Sequence, residues 1–338
     1  MSSQITIKDI AKALSISPST VSRALKDHPD ISKSTKKAVT QLAKELNYEP
    51  NYIALSLRKS KTNTIGIIIP EIVHYFFSTI ISGIEDVAYN SGYNVIISQS
   101  NESFDREVSD TKALLASRVD GFLVSMSKET TDVSHFQDIV NRGIPLVVYD
   151  RVSDDLNVSQ VVIDDYFGAY KATEHLISIG CKRIAHFQGP LNQTIFRERL
   201  RGYKDALKNG GIPFDESLVK DCYEGTLEEA KAHTAALLKL KDRPDGIFSN
   251  NDLAAIAAMS VIKKGKLRIP EDIAVVGFSD WQVSSLVDPS LSSVTQPGFE
   301  MGQKAAMLFL EQIKDPENHK PRKEVLKPEL IIRDSSRR

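Results

Sequence analysis

The chain of 338 residues predicts an α/β protein: an N-terminal, all-α helix-turn-helix headpiece followed by a larger core of doubly wound parallel sheets. Three observations carry this expectation. The first fifty or so residues contain capped helical patterns and no strand-like run, whereas beyond Ser60-Lys61-Thr62-Asn63-Thr64 short apolar runs alternate with longer helical stretches. Such alternation implies parallel strands covered on both faces by helices. Charge changes at the same place. Residues 1–61 hold eleven Lys/Arg against five Asp/Glu and the remainder 32 against 39, so a net charge of −1 conceals a basic arm on an acidic body. A polyanionic partner for the arm is the natural inference.

Thr6-Ile7-Lys8-Asp9 announces the first helix, since the threonine can cap it and the aspartate three residues on can reach back to close a capping box. Ile7, Ile10, Ala11 and Leu14 recur at helical spacing as its inward stripe. After Ser15-Ile16-Ser17 a second helix opens, with Ser17 as N-cap and Pro18 at the first helical position, where a missing N–H costs nothing. Val21, Ala24 and Leu25 face inward. Pro18, Ser19, Thr20, Ser22 and Arg23 are left on the outside, and hydroxyls with an arginine are the groups that meet phosphates and base edges in a major groove. A third helix from Ser32 supplies Val39, Leu42, Ala43 and Leu46 to a three-helix core. The pattern is that of a helix-turn-helix, and a serine-rich helical subdomain without a DNA partner is the plainer alternative.

Thr6-Ile7-Lys8-Asp9-Ile10-Ala11, Ser19-Thr20-Val21-Ser22-Arg23 and Leu46-Asn47-Tyr48-Glu49-Pro50-Asn51 closely resemble the lactose/galactose repressor (LacI/GalR) family of bacterial transcription regulators. The resemblance continues through Ile65–Pro70, Val119-Asp120-Gly121, Ile144–Asp150 and Val276-Gly277-Phe278. It implies a headpiece over 1–50, a hinge helix and linker over 51–61, and a core over 62–338 built like a type-I periplasmic binding protein. Lobe 1 is then about 62–163 and 293–325, and lobe 2 about 164–292 and 326–338. The resemblance also implies that Asn51–Arg58 forms a helix only against its twin on DNA, with Leu57 wedging between base pairs and Arg58 beside it. So short a helix does not persist alone in water, and an apolar wedge that unstacks a base step bends DNA toward more protein contact.

The roughly 275 residues of the core exceed one comfortable hydrophobic centre, so two lobes are expected, with ligands between them at the carboxyl ends of the strands. Reading the segments after each apolar run yields the candidate effector residues. Tyr75, Phe76 and Phe77 follow the run Ile65–Pro70, Asp150 and Arg151 follow Leu146–Tyr149, Gln193 and Arg199 follow Arg183–Phe187, Asn251 and Asp252 follow Gly246–Phe248, and Asp280 and Trp281 follow Ile273–Phe278. Asp164 opens the segment after Val161–Ile163. Aromatic faces suit a sugar's C–H surface or a purine, and Asp, Asn and Arg together suit vicinal hydroxyls or a carboxylate.

Each residue has a structural alternative: Arg199 as an ion-pair partner, Asp252 and Asp164 as helix caps, Phe76 and Phe77 as core, and Trp281 as lobe packing. Against the family pattern, the acid after Gly277-Phe278 is displaced from Ser279 to Asp280, and Gly225, with Tyr223 nearby, stands where some members place an aromatic. Gln193 and Ile195 depart from the purine repressor's basic residue and hydroxyl. The effector expected is therefore a sugar or sugar derivative, acidic and phosphorylated sugars being tolerated by Arg151 and Arg199; a purine is the alternative. No organic or metal cofactor is expected.

An enzyme is disfavoured, because there is no GxGxxG, P-loop, HExxH or nucleophile-elbow pattern. Cys181 and Cys222 lack metal-ligand spacing, and the start Met1-Ser2-Ser3-Gln4 carries no apolar secretory region. A cytoplasmic homodimer on a near-palindromic double-stranded operator is expected, with no membrane partner. The tail from Val325 to Arg333 reads as one last strand followed by a polar end without leucine heptads. A cytoplasmic ligand-binding protein whose N-terminal helices serve protein contacts is the runner-up.

Overall fold

The computed structural model describes residues 5–48, 61–223 and 225–338. Asn51, Leu57 and Arg58, and with them the expected hinge helix, lie outside the described residues. The chain divides into two compact units, Met1–Thr62 and Asn63–Arg338.

The first unit contains α1 (Ile7–Ala13), α2 (Pro18–Leu25) and α3 (Lys33–Glu45). The Asp9 carboxylate accepts from the Thr6 backbone N–H at 2.8 Å and from its hydroxyl at 2.7 Å, closing the first turn. Ser17 Oγ accepts from the Thr20 N–H at 3.1 Å and Ser32 Oγ from the Thr35 N–H at 3.2 Å, each satisfying a donor that the helix leaves orphaned. Ile10, Ala11, Val21, Ala24, Val39 and Ala43 are buried, and Ile7, Leu14, Leu25, Leu42 and Leu46 are only partly covered because so small a bundle has little interior.

The second unit holds two six-stranded sheets. β1 (Thr64–Ile69), β2 (Asn94–Gln99), β3 (Gly121–Val124), β4 (Leu146–Tyr149), β5 (Ser159–Ile163) and β11 (Lys323–Leu326) form the first, ordered β11-β5-β4-β3-β1-β2 and parallel throughout. β6 (Ile184–Gln188), β7 (Val219–Asp221), β8 (Gly246–Ser249), β9 (Ala274–Ser279), β10 (Ser292–Thr295) and β12 (Leu330–Ile331) form the second, ordered β12-β10-β9-β8-β6-β7. Only the β10–β12 pair in that sheet is antiparallel.

Helices cover both faces. α4 (Tyr75–Asn90), α5 (Phe104–Ala116), α6 (Ser134–Asn141) and α11 (Gly298–Lys314) pack on the first sheet; α7 (Asp165–Ser178), α8 (Thr194–Asn209), α9 (Leu227–Leu238) and α10 (Asp252–Lys264) pack on the second. α4 and α11 approach so closely that a Cβ at Gly83 or Gly302 would strike the opposite backbone, which explains glycine in mid-helix.

Two expectations about chain path need correction. β10 pairs with β9 through Ser293 and Gly277, so the chain returns to lobe 1 after Thr295 and not at 292–293. The last strand, expected to run unbroken, splits into β11 in lobe 1 and β12 in lobe 2, with Lys327-Pro328 between; proline has no N–H to continue a ladder. The polar tail is also not a free end. Ser335 and Ser336 are fully buried, Ser335 Oγ donates to Val275 O at 2.6 Å, and Ser336 meets both Ser292 Oγ (2.6 Å) and His175 Nε2 (2.8 Å).

Candidate functional site

In the headpiece, Pro18, Ser19 and Arg23 are exposed on α2 and Thr20 and Ser22 are half-buried, while Thr6 stands exposed at the start of α1. The Ser17 hydroxyl lies 2.7 Å from that of Ser19 and 2.8 Å from that of Thr20, so the leading turn of α2 presents a linked row of hydroxyls. Val21 and Ala24 anchor the opposite face. The helix therefore offers polar groups and a cation outward on a rigid support, a suitable geometry for phosphates and base edges.

The second unit has a cleft of about 500 Å³ between its two sheets, at the carboxyl ends of their strands. The walls are loops that leave the strands and the first turns of the helices after them, with Arg199 reaching in from the second turn of α8. From lobe 1 come Glu71, His74, Phe76 and Phe77 after β1, Asn101 and Glu102 after β2, Lys128 and Glu129 after β3, and Asp150 and Arg151 after β4. Lobe 2 contributes Phe196 and Arg199 after β6, Tyr223 and Thr226 after β7, Asn250, Asn251 and Asp252 after β8, Ser279 and Trp281 after β9, and Gln296 after β10. Asn101, Glu102, Asp150 and Ser279 all have positive φ (53°, 60°, 58° and 121°). Such conformations cost free energy in non-glycine residues and gather where a site must aim its side chains.

Of the candidate effector residues, Phe76, Phe77, Asp150, Arg151, Arg199, Asn251, Asp252 and Trp281 line this cleft. Their roles differ. Arg199 donates from Nε to Asp165 Oδ1 at 2.8 Å and from Nη1 to Asn250 O at 2.7 Å, with its guanidinium 3.7 Å from the centre of the Phe278 ring. Burial raises the Asp165 carboxyl above its ordinary range, against the pull of Arg199. Arg151 is paired with Glu102 at 2.6 Å. Burial alone would raise Glu102, but Arg151 and the Lys128 N–H together hold it below its usual value. Asp150, 5 % exposed, makes no hydrogen bond through its carboxylate to any described residue, and burial pushes its carboxyl up to about 7.

Asp252 is already saturated: it accepts from Ser293 Oγ (2.5 Å), the Trp281 N–H (2.7 Å) and Ser284 Oγ (2.8 Å). Gly277 makes room for it, since a Cβ there would overlap the carboxylate. Asn251 caps α10 by accepting from the Ala254 N–H at 2.8 Å and turns its amide to Asn250 Oδ1 at 2.9 Å. Phe76 and Phe77, expected in a loop, lie in the first turn of α4 and are buried in the lobe 1 core with their edges at the cleft.

Four candidates are absent from the cleft wall. Asp164 caps α7, accepting from the Phe167 N–H at 2.9 Å. Asp280 is drawn away by an ion pair with Arg333 at 2.6 Å. Tyr75 points outside and accepts from Gln282 Nε2 at 3.1 Å. Gln193 bridges the lobes, donating to Ser127 O at 3.1 Å, while Asn192 donates to Lys128 O at 2.7 Å. The receiving loop is itself clamped: the fully buried Glu107 accepts from the Ser127 N–H (2.7 Å), Thr130 Oγ1 (2.7 Å) and His135 Nε2 (3.0 Å).

Glu102, Lys128 and Glu129 are not among the residues expected from the sequence, although Phe104-Asp105-Arg106 stands close after Glu102. Their position at strand ends was the available signal. Tyr223 and Gly225 both line the cleft, and the Lys128 ammonium lies 5.4 Å from the centre of the Tyr223 ring.

Residues 62–331 match the family described as periplasmic binding proteins and sugar binding domain of LacI family, and residues 6–51 match the bacterial regulatory proteins of the lacI family. Among curated relatives, the HTH-type transcriptional repressor PurR of Vibrio atlanticus is 32% identical over 98% of each chain. The ribose operon repressor of Halalkalibacterium halodurans is 33% identical over 98% of this chain and 97% of its own. A Lac repressor dimer bound to operator and an anti-inducer superposes with a TM-score of 0.87 at 25% identity, covering 98% of this chain and 99% of that one. A CelR–cellobiose complex gives 0.75 at 30% identity over 98% and 100%. Together with the helix-turn-helix and the two-lobed cleft, these matches show that the chain belongs to the LacI family of bacterial regulatory proteins.

Proposed function

We propose that this chain represses transcription by binding a near-palindromic operator as a homodimer, and that a sugar or sugar derivative held between the lobes sets its operator affinity. The observation that carries the effector reading is the cleft itself, where the unpartnered Asp150 carboxylate and the Arg151 and Arg199 guanidiniums stand among the rings of Phe76, Phe77, Tyr223 and Trp281. Polar forks set among aromatic faces suit a ring with hydroxyls around its edge and C–H groups on its face. The solved relatives include a regulator from Enterococcus faecium with bound ribose and CelR with cellobiose, which supports the same class.

Operator recognition falls to α2, with Pro18, Ser19, Thr20, Ser22 and Arg23, helped by Thr6. Asn51, Leu57 and Arg58 would complete it from the hinge. Regulation requires only that the effector bind one lobe arrangement more tightly than another, and a difference of about 1–3 kcal/mol suffices. The Asn192 and Gln193 bonds to the Ser127–Lys128 loop are interactions that lobe opening would break.

The test is a mobility shift of the full chain on palindromic duplexes selected from random sequence, repeated with and without ribose, glucose and cellobiose. A sequence-specific, salt-sensitive shift that one of these sugars alters supports the reading. Absence of any DNA binding, with sugar binding retained, would favour a ligand-binding protein whose helices contact protein.

A further inference from the structure

We infer that Glu102 makes the cleft select against negative charge, so that the effector is a neutral polyol, or one bearing an amine, and not a sugar acid or sugar phosphate. This inference rests on the proposed reading of the cleft and adds the charge of its occupant.

Both guanidiniums that would greet an anion are already matched. Arg151 is held by Glu102 at 2.6 Å, the two side chains being 12% and 13% exposed, and Arg199 is held by Asp165 at 2.8 Å with a carbonyl on its other arm. Among the described residues the lining still carries more acid than base: Asp150, Glu129 and the serine-bonded Asp252 stand with Lys128, while Glu71 is paired with His74 at 2.7 Å. Helix N-termini that open on a cleft ordinarily favour anions, but α10 begins here with Asp252, which occupies that end with its own charge, while the first turns of α4 and α8 present Phe76, Phe77, Ile195 and Phe196.

Among the described residues, Asp150, 5 % exposed, makes no side-chain hydrogen bond, and Arg151 Nε is buried without a partner. A hydroxyl can donate to the first and accept from the second; a carboxylate or phosphate dianion can only accept, and would meet Asp150 with like charge once that carboxyl is ionised, above about pH 7. An ammonium would suit Asp150 as well as a hydroxyl does. Glu102 decides the matter, because without its charge Arg151 would present an uncompensated cation to the same space.

The experiment is calorimetric titration of the full wild-type chain and of Glu102→Gln with matched probes: glucose, glucosamine, gluconate and glucose 6-phosphate, and ribose with ribose 5-phosphate. Glutamine keeps an acceptor for the Lys128 N–H that Glu102 now binds at 2.8 Å. The expected result is that a neutral or amino probe binds the wild type at least about tenfold more tightly than its acidic or phosphorylated counterpart, and that Glu102→Gln narrows this gap by about tenfold. An anionic probe that binds the wild type as well as its neutral parent overturns the inference and leaves the cleft as the effector site. So does a gap that Glu102→Gln leaves unchanged. If no probe of any charge binds the wild type, the sugar reading fails, and the inference with it. The wild-type comparison alone decides the charge preference should the variant fail to fold.

Discussion

Arg199 and Asp165 meet at 2.8 Å where both side chains are about nineteen-twentieths buried, so the arginine most expected to touch the effector is also half of an internal ion pair. Removing one partner of such a pair leaves an uncompensated charge in a dry site. Arg199→Ala should therefore lower stability by about 3–5 kcal/mol as well as abolish the effector response. The double variant Arg199→Met/Asp165→Leu separates the two effects: denaturant unfolding should recover most of the lost stability while the response stays absent. Recovery of both would show that Arg199 serves the lobe alone.

Asp252 satisfies two serine hydroxyls and one backbone N–H, and Asp252→Ala strands all three. Loss of about 3 kcal/mol in thermal or denaturant unfolding is expected. A loss under about 1 kcal/mol would mean that the carboxylate is not the lock between α10, β10 and the loop of Trp281 and Ser284 that its bonds describe.

Asp150 has a definite pH signature. Its carboxyl titrates near 7 in the folded chain and near 3.8 as an ordinary side chain, so between these values the folded state binds the extra proton and stability falls as pH rises. The contribution is roughly 1.4 kcal/mol per pH unit crossed. Asp150→Asn should be more stable than the parent at pH 8, by an amount that shrinks toward pH 4. Effector affinity should show the opposite trend in the parent, rising through pH 7 as the acceptor ionises, and be flat in the variant.

Gln193 donates across the cleft to the carbonyl of Ser127. Gln193→Ala removes a bond made only when the lobes are together, so effector affinity should fall by roughly fivefold, the equivalent of about one hydrogen bond, with little change in unfolding midpoint. An equal loss in both measurements would make Gln193 a structural residue of lobe 2.

Leu57 and Arg58 fall outside the described residues, and their test is direct. Leu57→Ala should weaken specific operator binding at least tenfold without changing effector affinity of the core, and operator binding of the parent should fall steeply and log-linearly with salt as counterions are displaced. Unaltered operator affinity in Leu57→Ala removes the wedge role.

The headpiece was legible in the amino-acid order because its determinants are local. Thr6 with Asp9, Ser17 with Pro18, and the inward spacing of Ile10, Val21, Ala24 and Val39 each act within one or two helical turns. The alternation of apolar runs likewise announced parallel sheets, since a strand buried on both faces must be apolar throughout. Short or polar strands escaped: β7 has three residues at an edge, and β10 is built on Ser292 and Ser293, whose hydroxyls are satisfied by Arg333, Ser336, Asp252 and Asp280 groups far away in sequence.

Sequence by itself thus determined the headpiece helices, the apolar strands, where the basic arm ends, and which of those strand ends could meet at a cleft. Tertiary structure alone decided who faces whom there. Asp252 and Asp280 stand 28 positions apart and both looked ready for ligand, but one is claimed by Ser293, Ser284 and Trp281 and the other by Arg333. Arg151 looked like an anion receptor until Glu102, brought to 2.6 Å by the register of separate loops, cancelled it. A carboxylate or guanidinium takes whichever partner the fold sets within about 3 Å, and in a buried cleft that partner fixes its charge, its pKa and its freedom to bind, none of which is encoded by its neighbours in the chain.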